Sequence, residues 1–169
     1  GIRRKVLFTH KKMTLNFGKR KNVYEIEEGK ILQPKFDEKG LIPVITTEDS
    51  SGLILMHGYM NKEALSLSIE TGLAHYWSRS RNLIWKKGES SGLYQKIVDM
   101  KIDDDQDCLW ISVNVSGNGA SCHVGYKSCF YRKIVFKKKE SDINLEFIEK
   151  EKTFDPDVVY PNAPNPTKI

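Results

Sequence analysis

Tyr94–Val115 reads YQKIVDMKIDDDQDCLWISVNV, two runs with alternating apolar residues on either side of Asp103-Asp104-Asp105-Gln106-Asp107. Period-two alternation is the signature of a half-buried strand, so this stretch predicts two strands joined around an acidic segment. If the segment stays extended, Asp103, Asp105 and Asp107 point to one face. Carboxylates crowded there repel one another unless a cation sits among them, and hard oxygen donors suit Mg²⁺. The competing reading is an exposed acidic turn. An EF-hand is excluded, because no Gly and no distal Glu stand at the required offsets.

Working outward, GKILQPKF and LIPVITT flank Asp37-Glu38-Lys39-Gly40 and predict a hairpin, and LILMHGY reads as a short buried strand after a turn at Glu48–Gly52. Asn61 is a good N-cap, Ala64, Leu65, Ser68 and Ile69 share a helical face, and Gly72 closes that helix. LAHYWS returns to strand, Arg79–Gly92 reads as one polar loop, and FYRKIVF is a further strand. A second short helix is expected near Leu145–Lys150. The fold class is therefore α+β in a single domain, mainly antiparallel sheet with one or two short helices. The boundaries are a basic, disordered arm over 1–21, a domain over 22–137, and a polar, Pro-containing tail over 138–169.

The 169 residues carry a formal charge of +5. Residues 1–21 hold eight Lys or Arg and no acid, so the remainder is net acidic. Such an arm can attract anionic surfaces, but the body has no RNP pattern, zinc-finger spacing or basic stripe interleaved with aromatics, and no nucleic-acid partner is expected. No apolar run is long enough to span a membrane, and the first twelve residues lack the apolar stretch of a signal peptide. Three cysteines cannot all pair within one chain, against a secreted disulfide scaffold.

Cys122 and Cys129 frame CHVGYKSC, with His123 beside the first. Thiolates and imidazole ligate zinc, although two buried structural cysteines explain the spacing as well. Cys108 is expected in the core. Ser78-Arg79-Ser80-Arg81 and Trp85–Gly92 gather guanidinium, ammonium, hydroxyl and Gly backbone, the groups that hold phosphate. Trp77 or Trp85 can stack on a purine.

In order, LILMHGYMNKEAL, TGLAHYWSRSRNLIWKKGESSG, DDDQD and CHVGYKSCFYR closely resemble the phosphoribosyl-AMP cyclohydrolase family of histidine biosynthesis, from about Glu28 to Arg132, with a weaker echo at FDPDVVY. The resemblance implies a cytoplasmic, intertwined homodimer with active sites at the subunit interface. It implies a zinc- and magnesium-dependent hydrolase acting on C–N bonds of cyclic amidines, which uses water to open the adenine ring of phosphoribosyl-AMP between N1 and C6. Carried over by position, Asp103, Asp105 and Asp107 are the magnesium carboxylates, and Cys122 and Cys129 are two of three zinc thiolates. Arg79, Arg81, Trp85, Lys87, Ser90 and Ser91 are the candidate substrate-binding residues, and His123 the candidate for proton transfer. A companion pyrophosphohydrolase segment is not expected.

The chain departs from the family at two positions. The family's third zinc cysteine is here Asp104, and a His after Ser-Gly is here Leu93. Three outcomes stay open: Asp104 binds zinc through oxygen, Cys108 replaces the thiolate, or zinc is weakened or lost. The last leaves a non-catalytic nucleotide-binding homologue as the alternative function.

Overall fold

The computed structural model describes residues 15–136 and 143–169. Its centre is a four-stranded sheet in the order β2-β1-β6-β5, built from β1 (Ile42–Glu48), β2 (Ile54–Met60), β5 (Gln95–Ile102) and β6 (Leu109–Val115). β1 pairs antiparallel with β2 and parallel with β6, opposing Val44 to Leu109 and Thr46 to Ile111, while β5 and β6 pair antiparallel. A parallel pair needs a long crossover. Here it contains β2, α2 (Lys62–Thr71), the hairpin of β3 (His75–Ser78) with β4 (Leu83–Lys86), and β5.

The sheet buries one face of each strand. Ile42, Val44, Leu55, Met60, Ile111 and Val113 are fully buried, each contributing about 1.5–3 kcal/mol of transfer free energy. α2 forms where expected. The Asn61 side chain accepts from the Ala64 N–H at 2.8 Å, Gly72 takes a left-handed φ of 71°, and Leu65 enters the core. Ser68 caps the far side, accepting from the His75 N–H at 2.9 Å. Tyr76 lies flat against Gly58, where a Cβ would come within 2.9 Å of its ring. Buried Tyr76 donates to Gln95 Oε1 at 2.6 Å and meets Thr46 Oγ1 at 2.7 Å.

Several expectations change. Arg79–Gly92 is not one loop: β4 lies inside it, and only Arg79–Asn82 forms the hairpin turn, with Asn82 at φ 52°. Leu145–Lys150 is not helical. Leu145–Phe147 is strand β8, antiparallel to β7 (Arg132–Ile134), because period-two placement sets Phe147 against Tyr131, ring centroids 6.0 Å apart. GKILQPKF joins no sheet. It is bound to the acidic segment through Lys35 N–H to Gln106 O, 2.7 Å. A short helix, α1 (Val23–Glu28), was not expected; Asn22 caps it. A third, α3 (Pro156–Val159), falls within FDPDVVY.

Much of the basic arm lies outside the described residues. Residues 15–20, placed in that arm by sequence, pack on the body: the Leu15 N–H donates to Ser66 Oγ, Phe17 lies 6.4 Å from Phe36, and Arg20 reaches Gln33 O and Asp105 O at 2.7 and 2.8 Å. The segment after residue 142 likewise returns to the body, as described below. Among the described residues, no helix is long and apolar enough to cross a membrane.

Candidate active site: an acidic turn and a thiol loop

The acidic segment is a turn, not an extended strand, which corrects the alternation argument. Gln106 sits at φ 56°, and the Gln106 N–H donates to Asp103 O at 3.1 Å while the Asp103 N–H donates to Cys108 O. The Gln106 side chain is buried and points away from the carboxylates. Its Oε1 accepts from the Gln33 N–H at 2.7 Å, and its Nε2 donates to Ile26 O at 2.9 Å. Clasping Gln106 turns the neighbouring carboxylates outward. Asp103, Asp104 and Asp105 are exposed, with ligand oxygens within 4.8 Å of one another. Asp103 Oδ1 also accepts from the Asp107 and Cys108 N–H groups at 2.9 and 3.0 Å. Partial burial opposes these donors, but they hold the Asp103 carboxyl below its usual range. Asp107 is hydrogen-bonded to Asp105 and Asp103 and is pushed up to about 6 by that crowding. Such a turn favours either a shared proton or a cation.

Cys122 and Cys129 come together at the ends of a tight loop. The Cys122 N–H donates to Tyr126 O at 3.1 Å, Gly125 turns the chain at φ 108°, and the Cys129 N–H donates to Leu55 O on β2 at 2.7 Å. The hydrogen bond with Cys129 lowers the Cys122 thiol to about 6, against partial burial, with help from the Val124 and Tyr126 N–H groups and the Lys87 ammonium. Cys129 is pushed the other way, first by that same bond and then by burial. Cys122 is thus the more readily ionised thiol of the pair.

Lys87 stands beside this pair rather than in an exposed anion loop. It is buried, and its Nζ donates to Ser121 O at 2.8 Å. Burial pushes its pKa down, while the thiol charges act to raise it. Lys87 is the first residue after β4, and its N–H still donates to Ala74 O at 3.0 Å, beside the start of β3. Trp85 is partly buried and packs on the core, with its ring 5.5 Å from Tyr76. His123 is half-buried and its Nε2 has no hydrogen-bond partner; burial first, then the Lys87 charge, lowers its pKa against an Asn165 hydrogen bond.

The remaining candidates lie on turns. Arg79 is exposed, its guanidinium 4.2 Å above the Tyr59 ring, and the Arg81 N–H donates to Ser78 Oγ at 3.3 Å. Ser90 is exposed and Ser91 Oγ accepts from the Leu93 N–H at 3.1 Å. Leu93 itself is buried. Sequence reading missed His57, whose ring meets Tyr59 edge-on at 5.0 Å and whose pKa is lowered by partial burial and then by Arg79. Residues 57 and 59 of β2 share a face, so the alternation in LILMHGY carried that signal.

The donor chemistry fits the two implied cations unequally. The turn offers carboxylate oxygens to Mg²⁺. The loop offers zinc two thiols, one of them readily ionised, where a zinc site takes at least three protein ligands. Asp104 groups with Asp103 and Asp105; among the described residues, no group of three containing both thiols has its ligand atoms within 4.8 Å of one another. Cys108 lies by the acidic turn, where partial burial and the charges of Asp103, Asp107 and Asp105 raise its pKa.

The family model for phosphoribosyl-AMP cyclohydrolase matches residues 56–131, which span both the turn and the loop. A phosphoribosyl-AMP cyclohydrolase from Sinorhizobium fredii is 45% identical over 149 residues, 88% of this chain and 97% of its own length. Its counterpart from Brucella anthropi is 50% identical over 121 residues, 72% and 86%. That from Mesorhizobium japonicum is 53% identical over 109 residues, 64% and 71%. Identity at this level over nearly the whole of a relative shows that the chain belongs to the phosphoribosyl-AMP cyclohydrolase family.

Proposed function

We propose that the chain hydrolyses the N1–C6 bond of the adenine ring in phosphoribosyl-AMP, as an enzyme of histidine biosynthesis. The observation that carries this is the 45% identity over 97% of the Sinorhizobium fredii cyclohydrolase. In the reaction, the oxygen of water bonds to C6, the C6–N1 bond breaks, and a proton goes to N1, leaving a formimino group and a carboxamide on the imidazole. Adenine C6 is a weak electrophile and water a weak nucleophile. Zinc, when bound, lowers the pKa of its water from 15.7 to about 7.

Cys122 and Cys129 would hold that cation, and the lowered Cys122 thiol provides a thiolate at neutral pH. Lys87 balances the thiolate charge from the buried side. His123, held toward its neutral form with Nε2 unpartnered, can take a proton beside the thiol loop. Asp103, Asp105 and Asp107 would hold Mg²⁺, which orients phosphate. Arg79, Arg81, Ser90 and Ser91, at the exposed turns, are the groups available to the two phosphates, and the Tyr59–His57 pair is an aromatic face beside Arg79.

A third zinc donor is wanted, and among the described residues no group of three that includes both thiols meets at the loop. The reading therefore includes a homodimer in the cytoplasm, with Asp104 of a second copy completing the set through oxygen. Exposed Phe130, Ile134, Leu145 and Ile148 around the exit of the thiol loop support such an apolar interface. The test is turnover of phosphoribosyl-AMP, followed by the ultraviolet change of ring opening. Turnover abolished by chelation supports the reading. Substrate binding without turnover across Zn²⁺, Mg²⁺ and Mn²⁺ would overturn it and favour a non-catalytic nucleotide-binding protein.

A further inference from the structure

Glu149 lies beyond residue 131, where the family match ends, yet it is built into the thiol loop. Its two carboxylate oxygens accept from consecutive backbone donors, Oε1 from the Lys127 N–H and Oε2 from the Ser128 N–H, both at 2.9 Å. Cys129 is the next residue. Glu149 is not serving as an ion-pair partner for the Lys127 side chain, since that ammonium goes to Glu48 at 2.9 Å. The same segment then grips the middle of the loop: the Thr153 and Phe154 N–H groups donate to Gly125 O at 2.7 and 3.2 Å. A Cβ at Gly125 would come within 2.3 Å of Phe154 O, so the two backbones are in close contact. Tyr126 and Tyr131, on either side of the second cysteine, stack at 4.0 Å, and Phe147 of β8 packs against both.

We infer that Glu149 is a positioning residue for the two-thiol site: its bidentate grip on the Lys127 and Ser128 amides fixes where the Cys129 backbone sits and thereby holds its sulfur against Cys122. A charged acceptor binding two donors gives strong, directional bonds, and outer groups that orient metal ligands typically change metal affinity by about 10–100-fold. The inference rests on the thiol pair being metal ligands as proposed above, so its test has a second, metal-free readout.

The full chain is compared as parent, Glu149→Ala and Glu149→Gln, all in a Cys108→Ser background so that the pair supplies the remaining thiols. Cd²⁺ is titrated, read by the thiolate-to-cadmium ultraviolet band. Separately, the Cys122–Cys129 disulfide is equilibrated with glutathione; two thiols are oxidised as one glutathione disulfide is reduced to two thiols, and the constant reports how well the sulfurs are held together. Glu149→Ala should weaken Cd²⁺ by about tenfold or more and make the disulfide harder to form. Glu149→Gln, which keeps one acceptor and the shape, should fall between Ala and parent, and decides the matter if the Ala variant does not fold. Glu48→Gln, which removes the ion pair to the Lys127 ammonium and leaves the grip on the loop amides intact, should behave as parent. Parent-like disulfide equilibria in the Glu149 variants would overturn the inference. A parent that binds no Cd²⁺ would instead overturn the metal reading, leaving the glutathione equilibrium to judge Glu149.

Discussion

The acidic turn and the thiol loop are built in opposite ways. The turn is exposed and its donors repel one another, so it is held from behind: Gln106 points inward into a buried clasp with Gln33 and Ile26, and Arg20 binds Asp105 O. The loop is half enclosed and its donors attract, with two thiols hydrogen-bonded to each other beside a buried ammonium. The clasp on the turn comes from upstream, over residues 20–35, and the clasp on the loop from downstream, over 149–154. Both lie outside the 56–131 family match. The short motifs supply the donor atoms; flanking segments hold the backbones that aim them.

The largest expected effect breaks the loop. Cys122→Ser removes the more acidic thiol and should reduce soft-metal content and turnover to background, measured by metal analysis of the purified chain and by the ring-opening assay. The turn should suffer next. Gln106→Ala removes buried hydrogen bonds while keeping the left-handed backbone, for a cost of about 2–4 kcal/mol in urea unfolding. Gln106→Gly loses the same bonds but relieves about 1 kcal/mol of backbone strain, so Gly should be more stable than Ala, the reverse of the usual order.

Protonation sharpens the contrast further. Asp107 is raised to about 6 from 3.8. A raised carboxyl favours the protonated folded state, so without metal its contribution is present below the unfolded value and is lost as pH rises through about 6. Mg²⁺ favours the ionised turn, so the gain in Tm on adding Mg²⁺ should grow across that same interval. A gain independent of pH would contradict the cation reading of the turn. The smallest effect belongs to Lys101→Ala: Lys101 and Asp99 pair on exposed β5, and the change should cost under about 1 kcal/mol and leave metal binding alone.

Local signals made the core legible. Alternation marked β5 and β6, a short apolar run marked β2, and Asn61 with Gly72 bounded α2, because these patterns act over a few residues. The parallel pairing of β1 with β6 joins segments some sixty residues apart and leaves no local mark. The candidate donors were likewise legible as residue types, but their grouping was not. A single left-handed residue, Gln106, converts an expected strand face into a turn that brings Asp104 beside Asp103 and Asp105. Lys87 looks like a loop cation in sequence, and only tertiary bonds to Ala74 O and Ser121 O turn it inward to the thiols. The helix expected near residue 145 failed because Phe147 gains a ring partner in Tyr131 as a strand.

We propose that the acidic turn and the thiol loop hold a hard and a soft cation with separate duties in one reaction. The most direct measurement is turnover of phosphoribosyl-AMP after complete chelation, with Zn²⁺ and Mg²⁺ returned singly and together. The account predicts full turnover only with both. Full turnover with either cation alone would contradict it.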